Sequence, residues 1–218
     1  MSPMTLAIAL SAALAIAAGL GILPAFVLFV AKPLTTVLLI VHAARRGADE
    51  PAARRWILAG LVLSLAGDVA LLWPQSGFLP GLIAFLLAHL AYIAAFCTRL
   101  RFLARRLPFA AYAMVAGAIL AALWPGVPAG LRVPVVLYVL CLGSMAAQAA
   151  AVWRALRGSA DEALALRGAI GGALFLASDA LLAINKFAAP VPLSALWILA
   201  SYWLAQWFIA TSLRRGHG

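Results

Sequence analysis

Eight apolar runs, each about the length needed to cross a bilayer, follow one another along the chain with only short breaks between them. They cover approximately residues 4–23, 24–43, 56–73, 79–98, 108–124, 132–151, 167–187 and 193–213. A spanning helix needs about 20 mostly apolar residues. Inside lipid the backbone N–H and C=O groups find no water, so a helix that satisfies them internally is the default. A β-barrel would instead show short alternating stretches, which are absent. Composition agrees, with 67% of the 218 residues apolar and 10% charged, against about one quarter charged in soluble domains. The expectation is an all-α polytopic membrane protein with eight transmembrane helices, forming a single domain over residues 1–218. The first run offers small residues for cleavage in "SAALAIAAG", but "MSPMT" lacks the basic region of a signal peptide. It reads as an uncleaved helix.

The net charge of +10 would suit nucleic acid if it formed a patch. It does not. Arg45, Arg46, Arg54 and Arg55 fall between the second and third runs, and Arg99, Arg101, Arg105 and Arg106 between the fourth and fifth. Arg154, Arg157 and Arg167 flank the connection between the sixth and seventh, and Arg214 and Arg215 end the chain. The alternate loops, "PQSGF", "PGVPAG" and "AAPVP", carry no charge, and only Arg132 lies on their side. This is the positive-inside pattern and puts both termini in the cytoplasm. The arginines are expected to set topology and to meet anionic headgroups, with membrane lipids as partners and no nucleic acid. The corresponding location is a plasma membrane, the inner membrane of a bacterium. Cys97 and Cys141 show no paired spacing and read as small packing residues.

The six acidic residues are more informative. Asp49, Glu50, Asp161 and Glu162 sit among arginines and read as solvated loop charge. Asp68 in "LAGDVALL" and Asp179 in "LASDALLA" stand alone inside apolar runs. A carboxylate at the bilayer centre costs about 3 kcal/mol on insertion scales, and folding does not require that cost twice. Asp68 follows Trp56 by twelve residues and Asp179 follows Arg167 by twelve. Both therefore lie roughly 18 Å from the inner boundary, on parallel helices that can face one cavity.

A duplication would explain the coincidence. "KPLTTVLL" resembles "VPVVLYVL", with Pro33 opposite Pro134, and "PGLIAFLLAHLAYIAAF" resembles "PLSALWILASYWLAQWF". With the two aspartate segments, the offsets run from 101 to 112 residues. An even number of helices per unit makes such a 4+4 repeat parallel. Other polar residues gather near the same depth: Lys32, His89 with Tyr92, Tyr202 with Gln206, and Asn185 with Lys186. The spacings of three and four put each of the first two pairs on one helix face. Each residue also has a plain reading: Lys186 as a lysine snorkelling to the outer headgroups, Lys32 as the counter-charge of one aspartate, His89 as a satisfied interior histidine, the tyrosines as interfacial aromatics. Trp56, Trp73, Trp197, Trp203 and Trp207 read as belt or packing residues. Gly168, Gly171 and Gly172 in "RGAIGGALF" read as close-packing positions.

Two membrane carboxylates that share a proton let one act as a general acid while the other remains charged. That suits cleavage through an oxocarbenium ion, peptide hydrolysis by an aspartyl dyad, or proton-coupled transport. A protease of that kind would carry "GxGD", where this chain has "LAGD". Zinc hydrolysis needs about three ligands; His89 is the one intramembrane histidine, because His42 lies near a helix end and His217 in the tail. No nucleophile elbow and no phosphate-binding glycine loop is present.

Five motifs in order, Lys32–Pro33, "GDVALL" at 67–72, "FLLAHLAY" at 85–92, "LFLASDALLAINKF" at 174–187 and "YWLAQ" at 202–206, resemble the YhhN family of membrane proteins. The likeness covers essentially the whole chain. It implies eight helices and, from the animal members, lysoplasmalogenase activity: hydrolysis of the vinyl-ether bond of a lysoplasmalogen to a fatty aldehyde and a glycerophospho-headgroup, without a cofactor. On that reading Asp68 and Asp179 are the catalytic pair and the partner is a lysophospholipid. Lys32, His89, Tyr92, Asn185, Lys186, Tyr202 and Gln206 bind substrate or tune the pair. A non-catalytic lipid-binding protein and a proton-coupled small-molecule transporter are the alternatives.

Overall fold

In the computed structural model, which describes residues 2–73 and 75–214, the chain is all helical. Arg215 and His217 lie outside the described residues. The helices are α1 (Pro3–Gly19), α2 (Ala25–Ala44), α3 (Pro51–Ala70), α4 (Phe78–Cys97), α5 (Arg106–Leu123), α6 (Ala129–Ala155), α7 (Glu162–Phe187) and α8 (Ser194–Ala210), with one 3₁₀ turn at Trp124–Gly126. Local chemistry sets the ends. The Ser2 hydroxyl accepts from the Thr5 N–H at 3.2 Å ahead of Pro3 in the first turn of α1. Gly47 takes φ +69° after α2, a conformation that suits glycine because it lacks a Cβ. Its N–H then reaches the Arg214 carbonyl at 2.8 Å.

Several helices extend past their apolar runs. α3 begins at Pro51 and includes Arg54 and Arg55; α7 begins at Glu162 and includes Arg167. α6 reaches from Ala129 to Ala155, so Arg132 stands in its first turns, with its guanidinium 5.0 Å from the Trp124 ring centre. Hydropathy marks the segment that lipid can hold, whereas helical hydrogen bonding continues into water until a breaker intervenes.

By length and composition, α2, α4, α5 with its 3₁₀ turn, α6 and α7 can each cross a membrane; α1 and α8 are apolar but have 17 residues each. α3 has 20 residues and carries Arg54, Arg55 and Asp68. Large apolar side chains face outward around the bundle, among them Leu10, Val30, Val62, Leu87, Met114, Leu140 and Leu204. In water such a surface would aggregate; in lipid it is solvated. The protein is a multi-span, all-α integral membrane protein.

Consecutive helices pack as neighbours within residues 3–97 and again within 106–210, and the two sets join where α4 packs on α6 and α8 packs on α1 and α2. Glycines permit the close approaches. A Cβ on Gly171 would stand 2.9 Å from the Ala205 carbonyl oxygen, and one on Gly172 would stand 2.9 Å from the Ala146 Cα. Backbone cannot yield there, so only glycine allows α7 to contact α8 and α6 at this distance.

The arginine-rich end is more structured than solvated loops would be. Arg99 pairs with Glu50, and Arg214 lies 3.7 Å from Glu50 and 2.6 Å from Asp161. The carbonyls of Thr211, Ser212 and Leu213, just past the end of α8, accept from Arg167, Arg99 and Arg46 at 3.4, 3.1 and 3.3 Å. Glu162 opens α7 and accepts the Gly158 N–H at 2.7 Å. The reading of these acids as loop charge alone is therefore corrected. Carbonyls left over at a helix end and an electronegative helix terminus attract guanidinium groups.

Candidate active site

Pro33 and Lys32 lie mid-way along α2, and Thr36 is one turn further on, so Lys32 and Thr36 share the face turned to α3. There they meet Asp68, whose side chain is 1% exposed. The Thr36 hydroxyl donates to Asp68 Oδ2 at 2.6 Å, Tyr202 of α8 donates to the same oxygen at 2.7 Å, and Lys32 Nζ stands 3.7 Å from Oδ1. One positive charge and two hydroxyl donors replace the water this carboxyl has lost. Trp203 Nε1 lies 3.4 Å from the Thr36 oxygen. Behind Tyr202, Gln206 donates to its hydroxyl at 3.2 Å and accepts from Tyr92 at 2.7 Å.

Asp179 has a different environment. Tyr138 of α6 donates to its Oδ2, and His89 Nε2 of α4 lies 3.8 Å from the same atom and 3.1 Å from the Tyr138 hydroxyl. Tyr138 has one hydroxyl hydrogen and gives it to Asp179, so Nε2 of His89 must be the donor to Tyr138. No lysine or arginine is paired with Asp179 among the described residues. Its side chain is 14% exposed, open to the cavity described next.

Both aspartates line one cavity of about 470 Å³, together with Lys32, Asn185, Lys186 and Tyr202. α3 and α7 share no substantial packing; the cavity lies between them. Its aromatic wall includes Phe85, whose ring centre is 5.7 Å from Tyr202 and 6.2 Å from Phe175. Gly67 makes room for that ring, since a Cβ there would lie 2.6 Å from it.

The structure sorts the residues singled out in the sequence. Lys32, Asp68, Asp179, Asn185, Lys186 and Tyr202 reach the cavity. His89, Tyr92 and Gln206 are fully buried behind it; His89 contacts Asp179, Gln206 contacts Tyr202, and Tyr92 reaches Tyr202 through Gln206. The Asn185 side chain accepts the Val191 N–H at 2.9 Å, which holds the turn into α8. The Lys186 ammonium rests 4.2 Å from the Phe78 ring centre at the cavity rim, an arrangement with cation–π attraction. Two partners escaped the sequence reading, Thr36 and Tyr138. A signal for each existed: Thr36 is four residues after Lys32, and Tyr138 lies in "VPVVLYVL", the counterpart of the Lys32 segment.

The two networks correspond. Each aspartate is met by a hydroxyl from the helix before it (Thr36 of α2, Tyr138 of α6) and by a side chain from the last helix of the other set (Tyr202 of α8, His89 of α4). The lysine is the difference, since Val133 stands opposite Lys32 in the aligned segments.

A family model described as "YhhN family" matches residues 27–213 and so contains every one of these side chains. The chain belongs to the YhhN family. Among related proteins, this YhhN member is similar to human lysoplasmalogenase TMEM86A, with 35% identity over 182 residues, 81% of this chain and 72% of the relative. It is similar to mouse lysoplasmalogenase TMEM86B at 30% over 201 residues, 86% and 74% of the two chains. It is also similar to a lysoplasmalogenase of Mycobacterium bovis at 31% over 146 residues, 62% and 51%. No solved structure matches it.

Proposed function

We propose that this protein is a lysoplasmalogenase-type hydrolase that uses Asp68 and Asp179 to cleave the vinyl-ether bond of a single-chain ether lysolipid inside the membrane. The observation that carries the reading is that two intramembrane carboxyls, with different partners, line one cavity of a chain whose relatives bear that name. All eight helices are taken to span the membrane, with the arginine-rich end and both termini in the cytoplasm, in a bacterial inner membrane. The matching partner pattern around the two aspartates supports descent from a duplicated four-helix unit.

Vinyl ethers hydrolyse by protonation of carbon. A carboxyl proton passes to the second chain carbon, and the double-bond pair becomes the new C–H bond. The ether oxygen shares its lone pair with the first carbon, giving an oxocarbenium ion. Water adds to that carbon and loses a proton to the carboxylate, and the hemiacetal collapses to a fatty aldehyde and the free glycerol hydroxyl. The sum is one vinyl ether and one water giving one aldehyde and one alcohol. A proton donor and a separate carboxylate near the cation are what this sequence of steps requires. Lys32 and Lys186 line the same cavity and supply positive charge for the lipid phosphate.

The test is purified protein in detergent, offered vinyl-ether, alkyl-ether and acyl lysolipids, with aldehyde scored. Aldehyde from the vinyl ether alone is expected. Asp68→Asn and Asp179→Asn should each lower release by at least about 100-fold, on the scale of lost acid–base catalysis, while remaining folded. Cleavage of acyl lipids only would overturn the bond specificity. Binding without turnover by folded protein would favour a lipid-binding role, and substrate flux in vesicles without cleavage would favour transport.

A further inference from the structure

A second, smaller pocket adjoins the polar cavity, and its lining is almost wholly hydrocarbon. It is walled by Ala116, Ile119 and Leu123 of α5, Val135 and Val139 of α6, and Ala183 of α7. It meets the polar cavity along Leu71, Phe78, Phe85, Asp179 and Leu182, which line both. Asp68, Lys32 and Lys186 line the polar cavity and not this slot. α5 packs on α6 and less on α7, at the edge of the bundle. Ile119 and Val139 are half-buried, which places the slot between the site and the membrane-facing surface.

We infer that this slot is the subsite for the hydrocarbon chain of the lysolipid, entered beside Asp179, with the phosphate held on the lysine side. The inference rests on the hydrolase reading for the identity of the ligand. Its own support is the segregation of chemistry. A single-chain phospholipid has one apolar end and one anionic end. Lys32 and Lys186 line the polar cavity and not the slot, with the Lys186 ammonium resting on Phe78 where the two spaces meet. An apolar chain gains by leaving polar surroundings, about 0.8 kcal/mol for each CH₂ buried, and an anionic phosphate gains by meeting ammonium groups.

The consequence concerns the division of labour. The proton must reach the second carbon of the chain, and a chain lying in the slot passes its first carbons over Asp179. Asp179 is then the proton donor to carbon. Asp68, paired with Lys32 on the headgroup side, is left to face the cation and the water. The distinction between the two carboxyls follows from where the chain goes.

The polar cavity has another apolar wall, formed by Leu28, Ile198 and Leu199 from α2 and α8, and the experiment separates the two paths. The full-length protein in detergent is irradiated with a saturated alkyl-ether lysophospholipid that bears a diazirine near the ether end of its chain. Adducts are mapped by mass spectrometry with and without excess unlabelled alkyl-ether lysolipid. Expected are competable adducts at Ile119, Val135 or Val139, reduced at least tenfold in Ala183→Phe and unchanged in Leu204→Phe, a substitution on the outward face away from both spaces. Competable adducts at Leu28, Ile198 or Leu199 would overturn the proposal, as would the absence of any competable adduct. If Ala183→Phe fails to fold, the wild-type map alone decides. The probe cannot be cleaved, so slot adducts on a protein that releases no aldehyde would sink the hydrolase reading and leave the subsite standing.

Discussion

Replacing Lys32 with methionine removes the ammonium paired with Asp68 and keeps nearly the same side-chain length. Lys32 is 9% exposed, its Nζ lies 3.7 Å from Asp68 Oδ1, and the carboxyl is 1% exposed. At that distance and an effective dielectric near 20, the attraction between the charges is about 4.5 kcal/mol. Breaking a buried pair from one side costs about 3–5 kcal/mol, because the remaining charge is left without compensation. The Thr36 and Tyr202 hydroxyls still donate to the carboxyl, so the lower end applies and Lys32→Met should lose about 3 kcal/mol. Asp68→Asn strands the ammonium and should lose about as much. The double variant strands neither charge and is expected to lose no more than either single one, a coupling of about 3 kcal/mol. Unfolding by sodium dodecyl sulfate in mixed micelles, followed by tryptophan fluorescence, gives all three values. Losses that add to within about 0.5 kcal/mol would show that the two charges do not depend on each other, and the account of Asp68 given above would fail.

Tyr138→Phe removes the hydroxyl that joins His89 to Asp179. Stability should fall by no more than about 1.5 kcal/mol, while aldehyde release falls by roughly an order of magnitude or more, as expected when an acid–base group loses its positioning partner. Gly67→Ala puts a Cβ 2.6 Å from the Phe85 ring. Overpacking of about 1–3 kcal/mol should appear as a lower melting temperature, with weakened lysolipid binding because Phe85 lines both the cavity and the slot. Glu50→Gln breaks the ties to Arg99 and Arg214 at a partly exposed site. The loss should be about 1 kcal/mol or less and shrink as salt is added, read from melting curves at low and high ionic strength.

The class of fold was legible from residue order alone. Lipid penalises an unpaired backbone so heavily that eight apolar runs leave helices as the outcome, and Asp68 and Asp179 stood out because their surroundings held no other charge. Asn185, Lys186 and Tyr202 were found by depth, which helical rise converts directly from sequence distance. What sequence distance cannot encode is rotation about a helix axis and the choice of neighbours, and both were decided by side-chain shape in three dimensions. Gly171 and Gly172 let α7 approach α8 and α6, which turns Asp179 toward Tyr138. Packing of α8 against α2 carries Tyr202 across 134 positions of sequence to Asp68. Thr36 and Tyr138 were overlooked because one hydroxyl in an apolar helix is unremarkable until a carboxyl is placed beside it. The slot at Ala183 and Val135 was invisible for a stronger reason: nearly all its residues are ordinary apolar ones, and the empty space between them exists only where α4, α5, α6 and α7 meet.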